Sequence, residues 1–187
     1  MAKKHIIAMS SPSGGGKSTI ARYLMRIFSN LSFSVSATTR DLRPGETHGK
    51  EYYFISKAEF QSKIKQGDLI EYEELFGNYY GSLKSATDEA IVNDKYLIFD
   101  VDVKGALSLK KLYPKEALLI FVAPPSMEVL EQRLRARDTE TEEQIQKRIA
   151  RAEMEMSQKE LFDYVIVNDM LEDTLEEAEK IFADHIS

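Results

Sequence analysis

A strand, a glycine turn and a helix follow one another at the start of the chain, and that succession limits the fold more than any other feature. "KHIIAM" (4–9) is a short apolar run of the kind that a buried parallel strand carries. "SSPSGGGKST" (10–19) comes next, and beyond it Ile20, Leu24 and Ile27/Phe28 recur at helical spacing. A phosphate-binding loop in this context reads G-x-x-x-x-G-K-[ST]. Gly16, Lys17 and Ser18 satisfy its second half, while Ser11 stands where the first glycine belongs. A tight turn would use the glycines only for their positive φ. It gives no reason for Lys-Ser directly after them. Without β-carbons at Gly14, Gly15 and Gly16, backbone N–H groups can converge on phosphate oxygens at a helix N-terminus. Lys17 then adds a point charge at the β- and γ-phosphates, and the Ser18 hydroxyl is a ligand for Mg²⁺. Ser11 is small and fits if its φ is negative.

Further buried strands are expected in "KYLIFDVDV" (95–103), "ALLIFVAPP" (117–125) and "FDYVIVND" (162–169). Helical patterns lie at 85–93, along 126–160 with a polar break at "RDTETEEQ", and at 171–186. Strands alternating with helices imply an α/β fold with a parallel sheet and right-handed crossovers. Residues 36–84 differ: rich in Thr, Tyr, Gly and charge, they read as a small unit inserted between the first helix and the return to the sheet. Segment 126–157 is a second distinct piece, strongly charged and helical. The core is then 1–35, 85–125 and 158–187 of a single domain, consistent with 187 residues.

Net charge is −6, which argues against a nucleic-acid surface, so a bound anion must be held by local donors. The chain has no cysteine, which excludes disulfides and thiolate metal sites and points to a reducing compartment, the cytoplasm. "IIAM" is too short for a signal-peptide core, and no apolar run is long enough to span a membrane. The three histidines, His5, His48 and His185, are scattered and form no metal motif. A guanine-reading "NKxD" element of switch GTPases is missing, since "VNDM" (167–170) does not match. "LIFDVD" offers Asp100 and Asp102 after a hydrophobic strand, an arrangement shared by several P-loop classes.

Nearly the whole chain resembles the guanylate kinase family. The matching stretches are "SPSGGGKST", "FSVSATTRDLRPGE", "GKEYYF", "IEYEELFGNYYGS", "IFDVDVKGA", "APPS", "RLRARDTETEEQIQKR" and "VIVND", in the family's order and at its spacing. The resemblance implies a P-loop NTPase-type parallel sheet flanked by helices, with 36–84 as a GMP-binding subdomain and 126–157 as a helical lid. It implies Mg²⁺-dependent transfer of the ATP γ-phosphoryl group to GMP, with dGMP left open as a further acceptor. An alternative is a catalytically inactive guanylate-kinase-like interaction module; such modules commonly lose the loop lysine, which is present here. Monomer and homo-oligomer are not distinguished.

The chemistry of the matched residues is consistent with those roles. Arg40 and Arg43 can offer bidentate donors to one phosphate, and Tyr52 and Tyr80 add hydroxyls. By resemblance all four hold the GMP phosphate. Guanine presents two adjacent donors, N1–H and the exocyclic amine, for which a carboxylate is the matching acceptor pair. The resemblance makes that carboxylate Glu71, with Ser36 on the O6 side and Ser82, Asp100 and Asp102 completing the GMP site. Ser13, Gly14, Gly15, Gly16, Lys17, Ser18 and Thr19 are placed on ATP, and Asn168 near its adenine. Arg133 and Arg137, four apart, share a helical face. Arg148 follows a break where Thr139 or Thr141 can cap a new helix. The resemblance points these arginines at the triphosphate, with weaker claims for Arg135 and Arg151. Asp100 is expected to hold a Mg²⁺-bound water or to orient the arginines. The catalytic set is thus Lys17, Arg40, Asp100, Arg133, Arg137 and Arg148.

Overall fold

The structure, a computed structural model, describes residues 3–75, 77–136 and 141–186. Strand β1 (Ile6–Ser10) leads through the glycine loop into helix α1 (Lys17–Ile27), and β2 (Leu31–Phe33) returns to the sheet edge. The inserted unit holds β3 (Ala37–Thr38), β4 (Tyr53–Phe54), α2 (Lys57–Gln66), β5 (Leu69–Leu75) and β6 (Asn78–Leu83). Helix α3 (Lys84–Val92), β7 (Tyr96–Asp100), α4 (Val103–Leu112) and β8 (Ala117–Ala123) rebuild the core. Two charged helices follow, α5 (Met127–Arg135) and α6 (Glu142–Met156), then β9 (Tyr164–Val167) and α7 (Leu171–Ile186).

The main sheet is parallel in the order β2-β7-β1-β8-β9. Alternate side chains of a strand point to opposite faces, so a strand covered on both sides reads as an unbroken apolar run. Ile7, Met9, Ile98 and Ile120 face α1 and α7, where they meet Ile20, Leu24, Ile181 and Phe182. Ile6, Ala8, Phe99, Leu119 and Phe121 face the other way and pack on Val103, Ala106 and Leu109 of α4. That two-sided burial accounts for "ALLIFVA", in which every residue is buried. The expected α/β class with a parallel, helix-flanked sheet is what is found. No helix among the described residues is long and apolar enough to cross a membrane.

A second sheet, β4-β3-β6-β5, forms the inserted unit, packed around Phe60 of α2 together with Ala37, Leu69 and Leu83. Ile70 of β5 belongs instead to the core beside α4, so the insertion is seated on the main domain through that strand. The α5–α6 pair has its own small core of Leu130, Leu134 and Ala152.

Two local expectations change. The strand expected over 95–103 stops at Asp100, because Asp102 accepts the Gly105 N–H at 2.8 Å and caps α4. Helix α4 was hidden in the sequence by Gly105. A β-carbon there would lie 2.9 Å from Cβ of Val101, so the glycine serves a close approach rather than a break. At the start of α6, Thr141 forms a capping box with Gln144. The other candidate cap, Thr139, lies outside the described residues.

Candidate active site

The glycine loop is shaped by left-handed backbone at Gly14 (φ 93°) and Gly16 (φ 97°), conformations that side chains disfavour. Ser11 avoids that region, since Asp94 is the one non-glycine residue with positive φ among those described. Its hydroxyl donates to the Pro12 carbonyl at 3.1 Å, and the Gly15 N–H donates to the same oxygen at 2.9 Å. The missing first glycine is therefore accommodated in the turn itself. Gly16 caps α1 with no side-chain partner, which leaves the first-turn amides of the helix available to an anion. Ser11 to Thr19 and Asp100 line a cavity of about 320 Å³. Lys17 Nζ is hydrogen-bonded to Asp100 Oδ1 across its mouth. Both sit at the carboxyl ends of neighbouring strands, β1 and β7, where α/β sheets bind ligands.

Behind the loop, Asn168 is buried, and its Nδ2 donates to the Gly15 carbonyl at 2.8 Å. Arg133, on α5, donates from Nη2 to the Asn168 carbonyl at 3.0 Å. Arg148, on α6, donates from Nη1 to Ser13 Oγ at 2.5 Å. Two of the three expected lid arginines thus reach the loop region. Arg137 lies outside the described residues. Arg135 is held in solvent by Glu131 and Glu142. Arg151 pairs with Glu155 and lies 3.7 Å from Asp102 Oδ2.

On the inserted unit, Glu71 and Ser82 are register partners on β5 and β6, and Ser82 Oγ donates to Glu71 Oε1 at 2.6 Å. Burial raises the Glu71 pKa above its ordinary 4.5; the Ser82 bond opposes the shift, and the charges of Asp102 and Glu73 add to it. Asp102 is near because the start of α4 packs against β5. Ser36 leads into β3, and its carbonyl accepts the Tyr53 N–H at 2.9 Å. Arg40 lies over the rings of Tyr52 and Phe54, 5.5 Å from each centroid, and Tyr52 meets Tyr80 edge-on at 5.9 Å. Arg40, Tyr52 and Tyr80 therefore form one cluster.

Glu46 was missed by the sequence reading. It takes both Arg40 nitrogens, at 3.0 and 2.7 Å, and accepts the Arg43 N–H at 2.8 Å. Those bonds hold its carboxyl below the usual range, Arg40 first and the Arg43 amide second. Its place at the end of "RDLRPGE", three residues after Arg43, was the available signal.

No group of three or more acidic, histidine or cysteine side chains among the described residues could hold a metal by itself. Mg²⁺ needs less than that: it keeps several waters and binds through one or two protein oxygens plus substrate phosphates. The Ser18 hydroxyl and the Asp100 carboxylate, both on the loop cavity, are a donor set of that kind.

A family model described as guanylate kinase matches residues 3–185. The guanylate kinase of Chlorobium luteolum is 50% identical over 171 residues, covering 91% of this chain and 87% of that protein. That of Chlorobium chlorochromatii is 49% identical over 181 residues, 97% of this chain and 95% of the other. The crystal structure of guanylate kinase from Anaplasma phagocytophilum matches with a TM-score of 0.70 and 33% identity, over 98% of this chain and 87% of that one.

Proposed function

The chain belongs to the guanylate kinase family, and on that premise we propose that it transfers the γ-phosphoryl group of ATP to GMP, giving ADP and GDP. The observation that carries the choice of acceptor is Glu71, a desolvated carboxylate oriented by Ser82. Guanine offers two parallel donors to such a group, whereas adenine turns an acceptor toward it and has no amine at C2. A buried acceptor left unpaired disfavours the wrong base by on the order of 10⁴-fold.

In this reading 36–84 is the GMP unit and 126–157 the lid. Arg40 and Arg43, with Tyr52 and Tyr80, hold the GMP phosphate, while Ser36 and Asp102 complete the base site. Ser13 to Thr19 cradle the ATP phosphates. Ser18 and Asp100 would hold Mg²⁺, which when bound would offset the negative charge of the triphosphate. An oxygen of the GMP phosphate attacks the γ-phosphorus in line, and the bond to the β–γ bridging oxygen breaks. Lys17 leaves Asp100 for the β- and γ-phosphates as ATP enters. Arg133, Arg137 and Arg148 supply positive charge to the equatorial oxygens. Lid closure excludes water, so that GMP rather than solvent accepts the group. The base and phosphate recognised in GMP are the same in dGMP, which is expected to react as well. The absence of cysteine supports a cytoplasmic setting.

The test is ADP formation from Mg-ATP with GMP, AMP, UMP and dTMP offered separately. Turnover confined to GMP is expected. Turnover with another acceptor would overturn the Glu71 reading, and none with any acceptor in folded protein would overturn the kinase.

A further inference from the structure

Asn168 has a different relation to the nucleotide site from the other matched residues. It lies behind the glycine loop, not among the residues that line the cavity. Its backbone N–H donates to the Ala123 carbonyl at the end of β8 at 2.8 Å, and its other polar groups touch three further pieces of the protein. The amide Nδ2 donates to the Gly15 carbonyl at 2.8 Å, an oxygen that can only accept. The amide Oδ1 lies 3.3 Å from Thr174 Oγ1 on α7, whose hydroxyl also bonds the Met170 carbonyl at 2.7 Å. The backbone carbonyl takes Arg133 of α5. Asn168 and Thr174 are buried. A β-carbon on Gly16 would come within 2.1 Å of Asn168 Nδ2, so the glycine leaves room for this amide as well as supplying its own φ.

We propose that Asn168 is a positioning residue for the phosphate loop: its buried amide holds the Gly15–Gly16 peptide in the one orientation that presents the Gly16 N–H to phosphate. A trans peptide is planar, with its C=O and N–H pointing in opposite directions. Fixing the Gly15 carbonyl on Asn168, behind the loop, turns the Gly16 N–H away from Asn168 and toward the cavity. Released, this peptide between two glycines, the second of left-handed φ, can rotate at low cost, and a carbonyl oxygen would then face the phosphates. The same residue anchors Arg133, so loop and lid arginine share one support. The idea deepens the kinase reading and rests on it. It assigns Asn168 to the triphosphate cradle in place of the adenine base.

The two roles separate on the donor's base. A loop-positioning residue acts on every nucleoside triphosphate alike; a base-reading residue acts on ATP alone. Asn168→Ala and the isosteric Asn168→Asp, which sets an acceptor against the Gly15 carbonyl, should be assayed with ATP and GTP as donors and GMP as acceptor. The expected result is a rise in donor KM of roughly tenfold for the alanine variant and more for aspartate. KM for GMP should stay near the wild-type value and the ATP:GTP preference should be unchanged. Binding of AMP, which lacks the β- and γ-phosphates, should be nearly unaffected while ADP weakens. A changed ATP:GTP preference, or equal weakening of AMP and ADP, would overturn the proposal in favour of adenine contact. An unchanged donor KM would overturn it outright. Thr174→Val, which removes the hydroxyl beside Oδ1 and keeps the volume, should shift donor KM the same way by a few-fold; if the Asn168 variants do not fold, this variant decides the matter. Wild-type protein inactive toward GMP would instead remove the kinase reading beneath it.

Discussion

Lys17 and Asp100 are already in contact before any phosphate arrives, so the lysine head is placed and partly neutralised in the free protein. Lys17→Ala removes that charge and also leaves Asp100 unpaired beside an incoming triphosphate. Turnover with GMP is expected to fall by on the order of 10²–10³-fold or more, measured at saturating nucleotide. A variant that kept full turnover would remove Lys17 from the mechanism. Glu71 gives a second residue-scale prediction, with a defined sign. Its folded pKa is raised by burial, so on acidification it takes up a proton at a pH above the ordinary 4.5 of glutamate. Protonation replaces an acceptor with a donor that faces the donors of guanine. kcat/KM for GMP should therefore fall on an acid limb above pH 4.5, and KM for ATP should not follow it. Glu71→Gln should lack that limb at every pH and discriminate less against AMP. The GMP phosphate itself titrates near pH 6, so the comparison of the two proteins, not the wild-type curve alone, carries the test. For stability the sign is opposite: a raised carboxyl pKa favours the fold below the unfolded value and ceases to do so as pH rises through the folded one.

Among the elements, α6 starts on a local code written by both halves of a capping box. Thr141 accepts the Gln144 N–H at 3.4 Å, and Gln144 Oε1 accepts the Thr141 N–H at 2.8 Å. Thr141→Ala should cost about 1 kcal/mol in that helix. Its small core with α5 makes the loss local: amide exchange along 141–148 should quicken while the strands of the main sheet keep their protection. KM for ATP should rise a few-fold, because Arg148 sits one turn beyond the cap region. A uniform loss of protection through the whole molecule would show that α6 unfolds only with the core. Element by element, the sequence was readable where a single rule governs. The two-sided burial of β1 and β8 leaves an apolar run, and Thr141 with Gln144 leaves a spaced pair. It was not readable at β2, whose three residues are too few for a period, or at α4, where Gly105 mimics a break. The insertion was recognisable as foreign, but its sheet was not. Its two-residue strands β3 and β4 are held by pairing with distant segments rather than by their own composition.

On the scale of the molecule, the two ends of the main sheet do different work. The carboxyl ends of β1 and β7 carry the phosphate loop and Asp100. The amino ends are tied by His5, just before β1, between Asp94 before β7 and Glu116 before β8, at 2.9 and 2.6 Å. His5 also stacks on Tyr96, and Lys3 pairs with Asp94. Burial opposes the imidazolium charge, but the bonds from Asp94 and Glu116 outweigh it, and the pKa is raised above 6.5. The clamp's stability is then fully present below about pH 6.5 and is lost as pH rises through the folded pKa. Urea midpoints of wild type and His5→Gln should be well separated at pH 6 and converge by pH 9, with the affinity for ATP unaltered. Parallel profiles for the two proteins would show that the cluster contributes nothing.

By itself the sequence determined the strand, glycine turn and helix of the loop, the parallel α/β core and the family, because each depends on near neighbours or on a period. Gly16, Lys17 and Ser18 are adjacent, and buried strands advertise themselves by composition. The tertiary structure alone decided how Ser11 is tolerated, what Glu46 holds and where the Asn168 amide points. Asn168 is 153 positions from Gly15, and their hydrogen bond exists only because β9 pairs with β8 and β8 with β1, all parallel, so that the three strands end on the same side of the sheet. Pairings of that kind depend on the folding of the whole chain, and no spacing rule along the sequence can encode them.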